Sequence, residues 1–110
     1  MRKRTRAREF ALQILYQIDL TRDKYPQAID NFWQGHIQEE IASEVKAFTE
    51  ELVVGVADNL EPINVMISKY ATNWQLKRMA VVDRNILRMS CYELLFRQDI
   101  PPKVSINEAV

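Results

Sequence analysis

The chain begins with a dense cluster of cationic side chains. Residues 2–8, which we call the basic arm, hold five of them and no acidic residue: Arg2, Lys3, Arg4, Arg6 and Arg8. Clustered cations neutralise the phosphates of a nucleic acid, and five such contacts to a single strand predict a log–log salt slope of about −3.5. Tyr16, eight residues beyond Arg8, offers a ring on which a base can stack. Together these residues favour nucleic-acid binding.

Plainer interpretations of the same residues stay open. A basic N-terminus often aids only solubility, and Tyr16 beside Leu15 also suits the boundary of a hydrophobic core. However, 15 basic residues balance 15 acidic ones over the chain, so the body outside the arm carries ten basic residues against fifteen acidic ones. Cations at the start of a helix also oppose the helix dipole. Because folding requires neither feature, the arrangement favours a function for the arm.

Catalytic and metal-binding chemistry has little support in the sequence. Gly35 and Gly55 are the two glycines of the chain and cannot form a glycine-rich phosphate loop. The single His36 and the single Cys91 leave a tetrahedral zinc site short of ligands, and no serine stands at a recognised catalytic spacing from His36. We expect His36 to be a surface loop residue and Cys91 a buried, inert thiol. The sequence therefore predicts no enzyme, no cofactor and no metal.

Length and composition place the chain among small globular proteins. A chain of 110 residues, 47% of them hydrophobic, fits one domain with a single core. A lone cysteine excludes an internal disulfide, and no apolar run approaches the roughly 20 residues needed to span a bilayer. The basic start leads into no apolar signal-peptide core. We therefore expect a cytoplasmic protein.

The apolar residues recur at the period of an α-helix over most of the chain, which predicts an all-α fold. The first helix is expected over about residues 4–20, with one wide apolar stripe. Further helices are expected over about 26–33, 41–57 and 81–97, with another starting at Pro62. Ser105 and Glu108 have the spacing of a capping box and predict a final helix start. The helix over 81–97 carries apolar residues on most sides, which indicates a central position.

Three segments resemble the successive signatures of the NusB family. They are residues 6–17, residues 82–95 and residues 100–110, and they keep the family's order and approximate spacing. The Asp-Arg-x-Ile-Leu-Arg run that begins at Asp83 and the Ile-Asn-Glu-Ala run over 106–109 are fairly specific. Because the segments include both ends and the middle, the resemblance covers essentially the whole chain.

The resemblance implies a helical bundle of two three-helix subdomains, about 1–60 and 61–110, within one domain over 1–110. It also implies a non-catalytic transcription antitermination factor. Such a factor binds the single-stranded boxA element of nascent RNA together with NusE, a small-subunit ribosomal protein, and helps RNA polymerase through ribosomal RNA operons. Family chains continue beyond the last signature, so we expect the second subdomain to be incomplete here and its central helix to expose apolar surface.

The resemblance also assigns residues to this function. RNA-binding positions are expected at Arg2, Lys3, Arg4, Arg6, Arg8, Tyr16 and Tyr70. A surface for NusE is expected at Asp83 and its neighbour Arg84. Two departures predict a weaker or shifted RNA face, because Thr5 stands where a further arginine can occur and Pro102 stands where an aromatic residue can stack.

Two other functions remain as alternatives. Some ribosomal-RNA cytosine methyltransferases carry a NusB-like RNA-binding domain before their catalytic part, and the chain also suits a helical adaptor with no RNA role. The antitermination factor is preferred because the family-like region starts at Met1 with a strong arginine arm. The sequence leaves the oligomeric state open, including a homodimer, since some relatives self-associate. It also leaves the preferred RNA sequence open.

Overall fold

A computed structural model of the chain describes residues 2–70 and 79–96. Within those ranges the chain forms five α-helices and no strand, which confirms the all-α prediction. The helices are α1 (Arg2–Thr21), α2 (Tyr25–Gly35), α3 (Ser43–Asp58), α4 (Leu60–Tyr70) and α5 (Val81–Phe96). The expected helix start at Ser105 lies outside the described residues.

Polar groups set two of the helix boundaries. Helix α1 ends where Arg22 adopts a left-handed backbone, with φ of 65°, while its amide donates to the carbonyl of Ile18. Asn59 alone separates α3 from α4, and its side-chain amide donates to the carbonyl of Gly55, which also accepts from the Asn59 backbone amide. Sequence periodicity did not reveal that a single residue is enough to separate the two helices.

The chain separates into two compact units, Met1–Val54 and Gly55–Val110, with the boundary inside α3. The sequence-based division near residue 60 stays a prediction. The core of the first unit contains Ala7 and Phe10 of α1 and Val45 of α3, all buried. Four half-buried side chains pack around them: Phe32, Trp33, Ile41 and Phe48. This packing fixes the first half of α1 against α2 and α3.

A hydrogen-bonded threonine sets the register between α1 and α3. The hydroxyl of Thr49 is fully buried and lies 2.7 Å from the carbonyl oxygen of Val45 and 3.4 Å from that of Ala7. Because Ala7 belongs to α1, the hydroxyl links the two helices directly beside the basic arm. The arm is therefore the first part of a packed helix.

The second unit packs α4 against α5. Its buried side chains include Ile63 and Ile67 of α4 with Met89 and Tyr92 of α5. A polar link joins the same helices, since the Arg88 guanidinium donates to the side-chain oxygen of Asn64 at 3.0 Å. The charged side chain of Arg88 therefore contributes to the packing of α5 against α4.

Helix α5 also exposes apolar side chains. Leu87, Leu94, Leu95 and Phe96 are each 38–46% exposed. None of the helices in the described part of the chain has the length and apolar character that a membrane span requires.

Candidate nucleic-acid interface

The outward face of α1 carries two arginines and a tyrosine. Since residues on an α-helix are rotated by about 100° from one to the next, Arg2 and Tyr16 lie within about 40° of each other and Arg6 within about 80° of Tyr16. All three side chains are exposed, and Tyr16 is 38% exposed. The structure therefore brings part of the basic arm and the predicted stacking residue onto one face of one helix.

An open groove lies beside the first turns of α1. Its volume is about 570 Å³. Its lining residues are Arg2, Lys3, Thr5, Arg6 and Glu9 of α1, together with Glu40, Ala42 and Val45. Three of these side chains are cations, so the groove offers charge and space for a phosphate group.

The start of α1 adds backbone donors to these cations. Helix α1 begins at Arg2, and no acidic residue occupies its first turn. The first amides of a helix have no partner within the helix, and the positive end of the helix dipole lies there as well. An anion bound at this position would accept from those amides and relieve the repulsion among the arm's cations.

Two other arginines of the arm point the opposite way. The guanidinium carbons of Arg4 and Arg8 lie 5.4 and 5.7 Å from the centre of the Phe48 ring in α3. Arg4 is half-buried, and Arg8 is only 4% exposed. The exposed Arg6 is held by its own helix, with its guanidinium carbon 5.2 Å from the Phe10 ring centre. The arm thus has an outer set (Arg2, Lys3 and Arg6) and an inner set (Arg4 and Arg8).

Acidic side chains lie close to the outer set. The Lys3 ammonium is 3.4 Å from a carboxylate oxygen of Glu44, and both side chains are exposed. Such exposed pairs contribute little stability, so a phosphate can replace the carboxylate at low cost. Glu9 and Glu40 line the groove as well and reduce its positive potential.

His36 lies in the turn that follows α2, as expected of a loop residue, but it is half-buried instead of at the surface. Its ring stacks on Phe32 with centroids 4.2 Å apart, and its Nδ1 lies 2.9 Å from the Phe32 carbonyl oxygen. The histidine follows the last residue of α2, so it closes the C-terminal end of that helix. The four-residue spacing between Phe32 and His36 is the sequence signal that could have indicated this contact.

The remaining predicted site residues lie in the second unit. Asp83 is exposed in the first turn of α5, and Arg84 beside it is half-buried. Tyr70 is the last residue of α4, and its side chain lies outside the described residues. The assignments of all three residues stay predictions.

Cys91 is half-buried, less enclosed than the sequence suggested. Burial nevertheless raises the pKa of its thiol, so the protonated and poorly nucleophilic form is favoured. Within residues 2–70 and 79–96, no group of three or more His, Cys, Asp or Glu side chains could hold a metal ion.

Sequence comparison identifies close relatives over nearly the whole chain. The chain is 50% identical to the transcription antitermination protein NusB of Anaeromyxobacter sp. (strain Fw109-5), with 98% of this chain and 73% of the relative covered. It is 46% identical to the protein of the same name from Bacillus licheniformis, with 98% and 78% covered. The corresponding protein of Thermodesulfovibrio yellowstonii is 40% identical, with 98% and 76% covered.

Solved structures share the fold. A crystal form of T. maritima NusB superposes with a TM-score of 0.84 at 34% identity, covering 96% of this chain and 72% of that one. A structure of the antitermination factors NusB and NusE in complex with double-stranded RNA matches with a TM-score of 0.86 at 24% identity, covering 99% and 79%. The NusB family profile matches residues 5–110, which include Arg6 and Arg8 of the basic arm, most of α1 and the whole of α2 to α5. The exposed cations, the helical architecture and these matches agree, and the chain belongs to the NusB family.

Proposed function

We propose that the chain is a non-catalytic, cytoplasmic antitermination factor that binds single-stranded, boxA-type RNA together with NusE in transcription complexes on ribosomal RNA operons. The observation that carries the RNA part is the outward face of α1, where Arg2 and Arg6 are exposed on the same side as Tyr16. Family membership supports the transcriptional role, because the curated relatives are antitermination proteins.

The proposed binding mode follows the geometry of α1. Phosphates enter the groove at the start of the helix, where the outer set and the first backbone amides face them. Tyr16 lies about 21 Å further along the helix axis from Arg2, so it stacks on a base in a later part of the same strand. Because phosphate contacts carry no sequence information, selection of boxA requires contacts beyond the arm.

We propose that the partner protein supplies part of that selection. Asp83 is exposed and acidic at the start of α5, away in sequence from the arm, and suits a charge pair across a protein interface. Electrostatic complementarity of this kind sets partner choice and association rate. A complex with NusE would then present a larger RNA-binding surface than the chain alone.

The test is a mobility-shift assay with a boxA-type single-stranded RNA, in the presence and absence of NusE. The wild-type chain is expected to bind the RNA more tightly with NusE, and to prefer it over a scrambled strand and over a double-stranded RNA. Asp83→Lys should weaken the affinity of the chain for NusE by about tenfold while leaving RNA binding by the chain alone unchanged. The matched control is Glu61→Lys, an equal charge change at an exposed position in the first turn of α4.

Two results would contradict the proposal. One is equal binding of boxA-type and scrambled strands in the presence of NusE. The other is an Asp83→Lys variant that binds NusE as well as the Glu61→Lys control does. The first result would remove the boxA assignment, and the second would remove Asp83 from the NusE surface.

A further inference from the structure

The inner set of arginines shares one aromatic partner. Arg4 and Arg8 are four residues apart, so their side chains leave α1 on the same face, and both guanidinium carbons lie within 6 Å of the Phe48 ring centre. A cation over an aromatic face is attracted by the quadrupole of the ring, and more strongly where water is excluded. Since Arg8 is 4% exposed, its contact with the ring is desolvated.

Phe48 is itself fixed in place. Its half-buried side chain packs against the buried cluster of Ala7, Phe10 and Val45. The next residue, Thr49, donates to carbonyl oxygens of both α1 and α3. The ring therefore has a defined position relative to the backbone of α1.

The first two turns of α1 need such support. They hold all five cations of the arm, and the first turn has no acidic residue. Cations at this end of a helix oppose its dipole, and terminal turns fray when no tertiary contact holds them. Arg4 and Arg8 lie in these turns, and both contact Phe48 of α3.

We propose that Phe48 is a positioning residue for RNA binding, acting through Arg4 and Arg8. By holding the inner set, the ring fixes the rotation of the first turns and keeps Arg2, Lys3 and Arg6 directed at the groove and the outward face of α1. The RNA then meets cations that are already arranged, and binding costs less conformational entropy. This inference rests on the proposed function, because it assigns the arm to single-stranded RNA.

The experiment compares three full-length variants for binding to a boxA-type single-stranded RNA at low salt. Phe48→Leu removes the ring and is expected to weaken binding by about tenfold, the effect of losing two cation–π contacts. Phe48→Tyr keeps the ring and should bind as the wild type does. Phe32→Leu is the matched control, because Phe32 belongs to the same cluster but its ring neighbours are Phe10, Trp33 and His36.

A second measurement reports on the arm itself. The amides of residues 6–8 close the first hydrogen-bonded turns of α1, so their hydrogen exchange should be faster in Phe48→Leu than in Phe48→Tyr. Phe48→Met, which fills a similar volume without a ring, replaces Phe48→Leu if the leucine variant does not fold. The same loss of RNA affinity is expected for it.

Failure of this inference can be told apart from failure of the proposed function. Equal losses in Phe48→Leu and Phe32→Leu, or a Phe48→Tyr variant that binds as weakly as Phe48→Leu, would reduce Phe48 to a structural residue and overturn the inference. Unchanged binding by Phe48→Leu, with weakened binding by Arg2→Glu/Arg6→Glu, would overturn the inference alone. Unchanged binding by Arg2→Glu/Arg6→Glu would overturn the proposed function and the inference with it.

Discussion

Reversing two outward arginines, Arg2→Glu/Arg6→Glu, is expected to weaken binding to single-stranded RNA by about 25-fold at 0.1 M salt. Each phosphate contact to a single strand contributes about 0.7 to the log–log salt slope. Losing two contacts therefore lowers the binding constant by about 1.4 decades at 0.1 M salt, which is one decade below 1 M. Repulsion between the new carboxylates and phosphates adds to the loss. The dissociation constants are to be measured by fluorescence anisotropy with a labelled boxA-type strand.

The control for this variant carries the same change in net charge elsewhere in the first unit. Arg22→Glu/Lys24→Glu alters two exposed residues between α1 and the body of α2. Arg22 lies about 30 Å along the helix axis from Arg2. Because salt screens exposed charges beyond about 10 Å at 0.1 M, this double variant leaves the phosphate contacts at the start of α1 intact and should bind RNA within about twofold of wild type. Equal losses in both double variants would show that net charge, and not the outward face of α1, determines RNA binding.

The second large effect concerns stability. Gly55→Ala is expected to lower the free energy of unfolding by about 1–3 kcal/mol, because overpacking a filled core forces side chains out of their preferred positions. The ring and hydroxyl of Tyr92 occupy the space where a Cβ at Gly55 would lie. Tyr92 is 8% exposed and stacks on Phe96, which limits its ability to move away. Urea denaturation followed by far-UV circular dichroism measures the change.

The other glycine of the chain provides the control. A Cβ at Gly35 meets no atom within 4 Å, so Gly35→Ala is expected to be neutral or stabilising by up to about 1 kcal/mol through helix propensity. Replacing Tyr92 by a smaller residue should make room for a Cβ at Gly55. The double variant Gly55→Ala/Tyr92→Leu should therefore lose less free energy of unfolding than the sum of the losses in the two single variants. A Gly55→Ala urea midpoint equal to that of wild type would contradict the packing described here.

Much of the fold was predictable because apolar periodicity is a local signal. The stripe of α1 and the bounds of α5 follow from residue types a few positions apart, and the structure places these helices within two residues of expectation. The start of α3 was predicted less well from nearby residue types. Ile41 has the right period for the helix but lies two residues before it, and its side chain packs against the first-unit cluster from there.

The candidate site was predictable only in part. Composition identified the basic arm, and the four-residue spacing of Arg4 and Arg8, continued by Ala11 and Leu15, already places the inner set on the buried side of α1. Their partner was not predictable, since Phe48 is distant in sequence and reaches the arm only through the packing of α3. The same reason hid the contact of Gly55 with Tyr92.

The salt dependence of RNA binding by the wild-type chain tests the central claim most directly. The outer set comprises three cations, so the affinity for a boxA-type single strand should fall with a log–log slope of about −2, or about twentyfold between 50 and 200 mM salt. A slope of about −3.5 would mean that the inner set also contacts phosphates, which would contradict its assignment to Phe48. A slope close to zero would contradict the claim that the basic arm binds RNA.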